Sequence, residues 1–524
     1  MESSTSKPFS RAGFLKELEH AGKWDVIIIG GGATGLGTAL DSASRGYKTL
    51  LLEQADFAKA TSSRSTKLVH GGVRYLAQGD IGLVYEALHE RGTLIANASH
   101  LVHAQTFIIP CYDWVSIMKY YAGLKLYDWL AGKLSFGKSE FLKAQDVIQA
   151  LPTIKTAGLK GGIRYYDGQF DDARLALNIA QTAAEHGATL LNYFKVTGLN
   201  KVDGKISRLQ VVDQESGKEY TLSAKVVINA TGVFVDDILQ LDKPSAKPTV
   251  RPSQGTHIVL ERRFLQGSSA MMIPKTSDGR VLFAVPWHDY VVVGTTDTPL
   301  DVHSLEPQAL QQEVDFILDT AGQYITPAPQ PKDIRSVFAG LRPLAAPDKD
   351  TGSTKEISRS HKITISDSGL LTITGGKWTT YRKMSEDTVN QAIKLGKLVY
   401  VPCTTKQLHI QGGESERTAI ARLIKNNAEL AARLSPQFPY QQADVIHAVR
   451  AEMARCIEDV LARRTRLLFL DATAALQAAP LVAKLMAEEL GLDKAWQDAQ
   501  LESFRSVANN YLNKQMLPEI EQTL

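Results

Sequence analysis

The sequence has few of the features that mark secreted, membrane-spanning or metal-binding proteins. Three cysteines, Cys111, Cys403 and Cys456, lie far apart in 524 residues and form no C-x-x-C pair. This spacing argues against disulfides, zinc sites and iron–sulfur clusters, and it fits a reducing compartment. No run approaches the ~20 apolar residues of a membrane-spanning helix, and residues 1–25 hold no apolar stretch long enough for a secretion signal. We therefore expect a protein of the cytoplasmic side, soluble or held at a membrane face, with no metal site.

A large excess of charge of one sign is also absent. The formal net charge is only +3, which gives no reason to expect nucleic acid as a partner. The composition, 44% apolar and 22% charged, is ordinary for a soluble globular protein. A chain of 524 residues can form two or three domains with large cores. What the sequence does contain is a series of glycine-rich and polar segments that indicate ligand binding.

The first of these segments, VIIIGGGATGLGTALDSASRG, lies near the start of the chain. A β-branched run at 24–29 predicts a strand buried on both faces. Gly30, Gly32 and Gly35 follow with G-x-G-x-x-G spacing, which serves a tight turn, close approach of a diphosphate and packing of the next helix. Residues 33–45 are predicted to form that helix, whose first N–H groups would face the anion.

A second predicted strand at 49–52 ends at Glu53, where a carboxylate would accept the ribose hydroxyls of an adenosine half. No arginine or lysine follows Glu53 closely, so a 2′-phosphate has no evident partner and NADP is disfavoured. The strand, glycines, helix, strand and acid at these spacings predict a dinucleotide ligand. This segment alone leaves FAD and NAD as alternatives.

The rest of the chain alternates between segments typical of this nucleotide-binding unit and segments of a second sheet. ATLLNYFKVTGL at 188–199 predicts a strand, and the β-hairpin after it ends in the sequence ATG at 230–232. Residues 250–300 are predicted to form antiparallel strands, with SDGR as a hairpin turn. Beyond residue 400 the chain is rich in Ala, Leu, Glu and Arg, which predicts a separate helical domain.

Three further segments carry polar side chains suited to chemistry. TSSRSTKLVHGGVRYL at 61–76 offers the hydrogen-bond partners that a flavin needs along its length, although a polar surface loop would look similar. GGKWTT at 375–380 would aim a helix N-terminus and Lys377 at a flavin ring; the alternative is a simple turn with a surface lysine. FAGLRPL at 338–344 places Arg342 in an apolar stretch, where it needs either a bound anion or a structural carboxylate partner.

Six segments occur in an order and at intervals that resemble the FAD-dependent glycerol-3-phosphate dehydrogenases, the respiratory, NAD-independent kind. They are GGGATGLGTALDSASRG, SSRSTKLVHGGVRYL, the ATG after VVIN, VVVGTTDT, FAGLRPL and GGKWTTYRK. The resemblance covers almost the whole chain, including the carboxyl-terminal helices, and it favours FAD over NAD.

The resemblance also implies a mixed α/β fold with three parts. These are a Rossmann-like FAD-binding domain of the glutathione-reductase/D-amino-acid-oxidase type, an antiparallel-sheet substrate domain and a carboxyl-terminal helical domain. The expected segments are FAD-binding domain at 1–110, 191–250 and 336–398, a substrate-side insertion returning to the FAD domain at 111–190, the substrate domain at 251–335 and the helical domain at 399–524.

The activity implied by the resemblance is oxidation of sn-glycerol 3-phosphate to dihydroxyacetone phosphate, with hydride transfer to N5 of non-covalent FAD. Electrons would pass to membrane quinone, and the enzyme would lie on the inner face of the cell membrane against an anionic membrane surface. A homodimer is left open. A glycerol-3-phosphate oxidase that makes hydrogen peroxide is the alternative, since it would use the same site. An amino-acid oxidase fits less well, because the three expected cations Arg74, Arg342 and Lys377 suit a phosphate better than one carboxylate. A non-catalytic flavin-binding protein is a further alternative.

Position by position, the resemblance assigns three groups of FAD-binding residues. They are Gly30, Gly32, Gly35 and Glu53 for the adenosine diphosphate half, with Val196 and Gly232 on the adenosine side; Thr61, Ser62, Ser65, Lys67, His70 and Gly71 on the route to the ring; and Gly376, Lys377, Trp378 and Thr379 at its pyrimidine end. The residues expected around the substrate are Arg74, Tyr75, Arg342, Arg359 and Lys377. Arg359 is the weakest match, because the segment ISRSHKIT departs from the usual sequence of the family at this point.

The expected catalytic residues are His70, Arg342 and Lys377. A cluster of Arg and Lys side chains would hold the substrate phosphate and bring C2–H to the flavin. His70 would remove the hydroxyl proton, because an imidazole titrates in the useful range; it could instead anchor its loop by hydrogen bonding. His257 and His288 are weaker candidates for the base.

The sequence offers several candidate surfaces for the membrane contact that the resemblance implies. WVSIMKYYAGLKLYDWLAGKL at 114–134 combines aromatic residues with spaced lysines, as interfacial helices do. A helix of this kind is more often packed inside a protein, and that is the interpretation we favour. SRAGFLKELEH near residue 10 and the basic carboxyl-terminal helices are other candidate surfaces.

Overall fold

The computed structural model of the chain describes residues 9–72, 80–276, 279–345 and 361–513. In these residues two β-sheets carry the site, and a helical domain packs on one of them. The strands are β1 Trp24–Ile29, β2 Thr49–Leu52, β3 Leu68–Val69, β4 His103–Cys111, β5 Glu140–Lys143, β6 Gly161–Gln169, β7 Thr189–Leu191, β8 Phe194–Val202, β9 Lys205–Asp213, β10 Glu219–Leu222, β11 Ala224–Asn229, β12 Val250–Glu261, β13 Ala270–Ile273, β14 Leu282–Trp287, β15 Tyr290–Gly294, β16 Thr298–Pro299, β17 Ile334–Ala345, β18 Lys362–Ile365 and β19 Leu370–Thr374.

The helices lie between these strands and then fill the carboxyl-terminal part. They are α1 Arg11–His20, α2 Ala33–Ser44, α3 Ile81–Asn97, α4 Trp114–Ala131, α5 Ala144–Ala150, α6 Asp172–Glu185, α7 Val235–Asp242, α8 Gln311–Gly322, α9 Tyr381–Gly396, α10 Glu414–Asn426, α11 Gln442–Glu452, α12 Leu467–Leu470, α13 Ala472–Leu490 and α14 Lys494–Ala508. Among the helices described here, none has both the length and the apolarity needed to cross a bilayer.

The first sheet has the strand order β18-β19-β11-β1-β2-β7. Its strands from β19 to β7 run parallel, and β18 adds an antiparallel edge. The strand predicted at 24–29 and its neighbour at 49–52 are confirmed, and both are buried as strands covered on two faces must be. The helix predicted at 33–45 is α2, which packs between α6 and α9.

The strand predicted at 188–199 is two strands rather than one. β7 joins the parallel sheet, whereas β8 starts the separate three-stranded sheet β10-β9-β8. The break falls at Asn192 and Tyr193, and Tyr193 has a φ of 60°, outside the extended region. Their side chains hold the break in place, because the Asn192 amide donates to Met453 O and the Tyr193 hydroxyl donates to Asp459.

The second sheet follows the order β16-β12-β15-β14-β13-β4-β6-β3, with β17 on β12 and β5 on β6. Its pairs are antiparallel except for β13 with β4, which run parallel. Two of the predicted boundaries need correction. β4 spans the boundary drawn at 110/111 and β17 the one drawn at 335/336, and both strands belong to this second sheet. Alternating hydrophobicity indicates a strand but cannot tell which sheet it joins.

The carboxyl-terminal helices form one core with the back of the second sheet. Leu468 and Phe469 of α12 share this core with Val259 of β12 and Phe338 of β17. A buried ion-pair cluster fixes the helical domain to the first sheet as well, since the Arg464 guanidinium donates to both oxygens of Asp56, one of them at 2.9 Å. The expected mixed α/β fold with two sheet regions and a helical carboxyl-terminal domain is confirmed.

Candidate active site

A cavity of about 490 Å³ opens where the parallel strands of the first sheet end. Gly30 follows β1, Glu53 follows β2, Gly232 follows β11 and Gly376 follows β19, and all four line this space. The carboxyl ends of parallel strands are the usual place for a ligand in an open α/β sheet. We call this space the strand-end cavity.

The glycines at the first strand end are required by close packing. Gly30 has a φ of +108°, and a Cβ there would lie 2.7 Å from Ala230 O. A Cβ on Gly35 would lie 1.9 Å from Gly30 O, so α2 can approach β1 only because this residue has no side chain. Gly32 lines the strand-end cavity as the N-cap of α2, and Ser62 Oγ accepts from the first N–H of the helix, at Ala33. The helix N-terminus borders the ligand space.

Glu53 is held by backbone donors at the edge of the strand-end cavity. Its Oε2 accepts from Gly31 N at 2.6 Å, and its Oε1 accepts from Ala55 N at 2.8 Å. Burial raises the pKa of the Glu53 carboxyl, and these two N–H donors oppose the shift. The carboxylate is therefore oriented before any ligand arrives, as a partner for ribose hydroxyls must be.

Hydrogen bonds between segments that are distant in the sequence form another wall of the strand-end cavity. The Trp378 indole N–H donates to Ser62 O at 2.9 Å, and Ser62 Oγ accepts from Ala33 N at the start of α2 at 2.9 Å. The Thr61 hydroxyl donates to Leu341 O at 2.6 Å, which joins this wall to β17. Val196 of β8 completes the lining on the opposite side.

A second cavity of about 300 Å³ adjoins the first. The two share the lining residues Thr61, Pro343, Gly375, Gly376, Lys377 and Trp378. Four cationic residues, Arg64, Arg280, Arg342 and Lys377, line the second space together with aromatic residues of the second sheet. The Arg64 guanidinium donates to Glu306 at 2.6 Å. We call it the cationic cavity.

Arg342 lies in the cationic cavity with part of its side chain accessible. Its Nη1 donates to Asp297 Oδ1 at 3.3 Å, and its Nη2 donates to Thr295 Oγ1 and Thr296 O, both at 3.0 Å. Gly255 of β12 makes room for the guanidinium, since a Cβ there would come within 2.3 Å of Nη2. Arg342 therefore has the structural carboxylate partner that was one of its two interpretations from sequence, and 21% of its side chain remains exposed at the cavity.

Two histidines line the cationic cavity in different environments. His257 is 2% exposed, its ring stacks on Phe338, and its Nε2 lies 2.9 Å from Thr66 Oγ1. Burial, with the nearby charges of Lys67 and Arg342, holds the pKa of His257 well below its usual range. His70 is half-buried, and its backbone N–H donates to Thr379 Oγ1 at 3.2 Å. The next N–H, of Gly71, donates to the Tyr127 hydroxyl at 2.8 Å.

Most of the residues expected from the sequence line one of the two cavities. The strand-end cavity has Gly30, Gly32, Glu53, Thr61, Ser62, Val196, Gly232, Gly376, Lys377 and Trp378, and the cationic cavity has Thr61, Ser65, His70, Arg342, Gly376, Lys377, Trp378 and Thr379. Gly35 and Gly71 pack against neighbouring atoms behind the walls instead. Arg74, Tyr75 and Arg359 lie outside the described residues.

The expected position of Lys67 on the route to a flavin ring needs correction. Its ammonium group is fully buried and donates to both oxygens of Asp172, at 2.8 and 2.9 Å, and to Ser63 O. The Ser65 hydroxyl donates to the same carboxylate at 2.7 Å, although this residue still borders the cationic cavity. Asp172 begins α6, so these side chains tie the loop to the helix rather than point into the cavity.

Two lining residues of the cationic cavity were not singled out from the sequence. In the sequence, Arg280 stands only as part of the SDGR turn and Asp297 only as part of the VVVGTTDT segment. Both are polar residues directly beside strands of the second sheet, and their chemistry becomes evident only when β12, β14, β15 and β17 bring them to Arg342. The sequence signal that could have identified these two residues is a charged side chain at the end of a predicted strand.

The donors of the strand-end cavity fit a dinucleotide. The α2 N-terminus suits a diphosphate, Glu53 suits a ribose, and a second helical start after Gly375 and Gly376, both at positive φ, suits the acceptor edge of a ring system at the junction with the cationic cavity. A Cβ on Gly376 would meet Met384 at 2.3 Å, so the backbone there must stay bare.

Comparison with known proteins shows that the dinucleotide is FAD. Residues 25–382 match the family described as FAD dependent oxidoreductase, and residues 415–497 match the C-terminal domain of alpha-glycerophosphate oxidase. The chain is similar to the human protein named glycerol-3-phosphate dehydrogenase, mitochondrial, with 39% identity over 547 residues, 95% of this chain and 75% of that one. Identity to the Schizosaccharomyces pombe protein of the same name is 37%, over 97% and 90% of the two chains.

A solved structure is similar over nearly its whole length. It is the X-ray structure of the glycerol-3-phosphate dehydrogenase from Bacillus halodurans complexed with FAD, with a TM-score of 0.76 and 29% sequence identity. The match covers 96% of this chain and 97% of that one, so both sheets and the helical domain are common to the two.

Proposed function

The chain belongs to the FAD-dependent glycerol-3-phosphate dehydrogenase family, and we propose that it oxidises sn-glycerol 3-phosphate to dihydroxyacetone phosphate. The observation that carries this proposal is the junction of the two cavities. A dinucleotide space meets a cationic space at residues 375–378. The substrate phosphate has a second pKa of about 6, so it carries nearly two negative charges near neutral pH. Clustered cations beside a flavin site suit such a substrate.

Arg342 and Lys377 are the described residues that we assign to substrate binding. A guanidinium can hold a phosphate through two parallel N–H donors, and Asp297 and Thr295 already fix the orientation of this one. Lys377 adds a full positive charge at the shared wall, where it can stabilise negative charge on either side. FAD, when bound, supplies the acceptor for the hydride that leaves C2 of the substrate.

His70 is the residue we assign as the base that removes the C2 hydroxyl proton. Its loop is anchored through backbone groups, by Thr379 at His70 and by Tyr127 at Gly71. The neutral ring of His257 lines the same cavity and is the alternative. His70→Asn should slow flavin reduction about 100-fold or more at unchanged FAD content, and His257→Asn should slow it much less. If His257→Asn slowed flavin reduction more than His70→Asn, the base would be His257.

The activity is tested most simply by adding glycerol 3-phosphate to the FAD-loaded protein without oxygen. We expect the yellow colour to bleach and dihydroxyacetone phosphate to form in equal amount to the reduced flavin. Glycerol, which lacks the phosphate, serves as the matched control and should bleach the flavin far more slowly. A protein that binds FAD and stays yellow with glycerol 3-phosphate would be a binding protein and not this enzyme.

Membrane quinone is the electron acceptor that we propose, with oxygen as the second candidate. Oxygen is a candidate because residues 415–497 match a domain that is named after an oxidase. A soluble quinone analogue should reoxidise the enzyme much faster than air does, with little hydrogen peroxide. Stoichiometric peroxide and slow quinone reduction would make the protein an oxidase.

Contact with an anionic membrane surface, on the inner face of the cell membrane, is the last part of the proposal. The interpretation of residues 114–134 as an internally packed helix needs correction, because only one face of α4 is packed. Leu124 and Tyr127 are buried, whereas Trp114, Met118 and Trp129 are 59, 65 and 76% exposed. Exposed aromatic residues with lysines beside them are typical of helices that lie in a membrane interface.

Flotation with vesicles tests this surface. Wild-type protein should float with vesicles that contain anionic lipid, and less so at high salt. Trp129→Glu should lose flotation but keep activity with a soluble acceptor. Val399→Glu, at a residue that is 83% exposed and outside α4, is the matched control and should float normally. Equal flotation of both variants would exclude α4 as the contact.

A further inference from the structure

An irregular segment, residues 300–308, follows β16 of the second sheet and ends shortly before α8. β12 holds both ends of this segment through two hydrogen bonds of 3.0 Å, one at Leu300 N and one at Gln308 O. Between these ends Val302 is 72% exposed, whereas Leu305 lines the strand-end cavity. The segment therefore lies between this cavity and solvent, and we call it the strap.

The strap connects two walls of the strand-end cavity. On one side His303 Nε2 lies 3.1 Å from Asp237 Oδ2 of α7. On the other side the Glu306 carboxylate accepts from Arg64 Nη2 at 2.6 Å and lies 3.5 Å from the Lys59 ammonium group. Asp237 and Lys59 line the cavity themselves. The strap thus bridges the cavity from the wall that follows β11 to the wall that follows β2.

The apolar side chain of Leu305 is not part of a protein core. Leu305, Phe234 and Leu241 line the strand-end cavity, yet none of them belongs to a hydrophobic cluster formed by the described residues. Phe234 packs edge-to-face against the His303 ring of the strap, with 4.8 Å between the ring centroids. Apolar surface that the protein leaves uncovered at a cavity gains free energy when a ligand covers it. A ligand in the cavity therefore explains why the strap carries a leucine here.

The contacts of the strap suit a segment that opens and closes. No residue of the strap, all of which the structure describes, lies in a helix or strand. The ion pair at one side is partly exposed, with Asp237 at 50% and His303 at 31%, and such pairs contribute little to stability. Segments with few buried contacts open at a low free-energy cost. Opening of the strap would widen the entrance to the cavity for a ligand as long as a dinucleotide.

We propose that the strap closes over bound FAD and retains it, with Leu305 in contact with the cofactor and with His303 and Glu306 as positioning residues that hold the strap across the cavity. FAD is the cofactor of this family. The inference concerns how the chain keeps that cofactor, so it goes beyond the proposed function. A ligand held without a covalent bond leaves when the contacts that enclose it break, so loss of these contacts should speed its release.

The test measures how fast the holoenzyme releases FAD to an excess of a scavenger protein that binds flavin. Leu305→Ala should release FAD about 10-fold faster than wild type, the factor expected when most of one leucine side chain is no longer buried. Leu305→Met keeps the apolar volume and should release FAD near the wild-type rate. Glu306→Gln should also speed the release, because the amide attracts Arg64 and Lys59 less than the carboxylate does. KM for glycerol 3-phosphate should change little in all three variants.

Val302→Ala is the matched control, since it changes an exposed residue of the same strap and should release FAD as wild type does. Hydrogen exchange of the holoenzymes is a second measurement. The backbone N–H groups of the strap should exchange faster in Leu305→Ala and Glu306→Gln than in wild type, and Val302→Ala should leave their exchange unchanged.

The inference is overturned if Leu305→Ala releases FAD at the wild-type rate, or if strap exchange is the same in Glu306→Gln as in wild type. If Glu306→Gln does not fold, the same measurements on His303→Ala, at the other side of the strap, decide. Wild-type holoenzyme that retains FAD through the strap but is not reduced by glycerol 3-phosphate would contradict the proposed function and support this inference.

Discussion

The strand-end cavity is built mainly from backbone, whereas the cationic cavity is built from side chains. In the first, bare backbone at Gly30 and Gly32 and the start of α2 line the ligand space, and each element follows its strand directly. In the second, Arg342 and Asp297 come from segments 45 residues apart, and they meet only because β12 pairs with both β16 and β17. The two cavities share one wall, at residues 375–378.

This difference teaches which changes each cavity tolerates. A backbone-built cavity is lost when any side chain is added at a point of close approach, because the strands and helix cannot move apart without loss of the core. A side-chain-built cavity can lose one group and keep its shape, so binding or catalysis fails while the fold survives. Variants in the first cavity should therefore affect FAD content, and variants in the second should affect turnover.

The largest effect on FAD content and stability is expected for Gly35→Val. Its Cβ would lie 1.9 Å from Gly30 O, so α2 would have to leave β1, at a cost of about 3 kcal/mol or more. The variant should lose both FAD and thermal stability, measured as flavin per protein and as the unfolding midpoint. Gly82→Ala in α3, where nothing lies within 4 Å, is the control and should be neutral or stabilising by up to about 1 kcal/mol. Full FAD content in Gly35→Val would contradict the packing argument.

The second-largest effect, on turnover rather than on FAD content, is expected for Arg342→Ala in the cationic cavity. Loss of the substrate-holding guanidinium should raise KM and lower kcat, with kcat/KM reduced about 100- to 1,000-fold, at normal FAD content. Arg335→Ala is the control on the same strand, because its side chain is 44% exposed and pairs with Glu261. Near-normal kinetics in Arg342→Ala would show that it does not contact the substrate.

A smaller effect is expected for Glu313→Gln, behind the cationic cavity. The buried Glu313 carboxylate accepts from the hydroxyls of Thr256, Thr296 and Thr298 at 2.6–2.8 Å, which anchors the segment that holds Arg342. An amide N–H2 in place of one acceptor should cost about 1–3 kcal/mol of stability and lower kcat/KM without loss of FAD. Glu261→Gln, at the exposed end of β12, should change neither quantity.

The smallest effect is a pH dependence of stability that His257 should produce. Its folded pKa is well below its usual range, whereas in the unfolded chain it is about 6.5. Below that pH the unfolded state binds the extra proton, so stability falls as pH falls, by at most about 1.4 kcal/mol per pH unit. Denaturant unfolding between pH 5.5 and 7.5 should show this slope in wild type. His257→Asn should have a shallower slope; an unchanged slope would mean that His257 is protonated in the fold.

The same contrast explains what the sequence could predict. The strand-end cavity was anticipated residue by residue from Gly30 to Glu53, because strand, turn and helix are contiguous and their spacing is local information. In the cationic cavity, Arg342 and Lys377 stand out in their own segments as charged residues that need a partner or a ligand, and the resemblance adds their place around the substrate. Arg280 and Asp297 were missed because their relation depends on which strands pair.

Two further differences have physical reasons of the same kind. Lys67 lies in a polar segment beside the cavity, but Asp172, 105 residues away, takes its ammonium group into the interior. For residues 114–134 the sequence favours an internally packed helix, and this is wrong, because α4 has one packed and one exposed face.

A crystal structure of the FAD-loaded protein grown with glycerol 3-phosphate in the absence of oxygen tests the central claim most directly. We predict the adenosine half of FAD in the strand-end cavity near Glu53 and Gly232, its ring system at residues 375–378, and a phosphate group on Arg342 in the cationic cavity. Density for the phosphate elsewhere, or for a ring system away from that shared wall, would contradict the account.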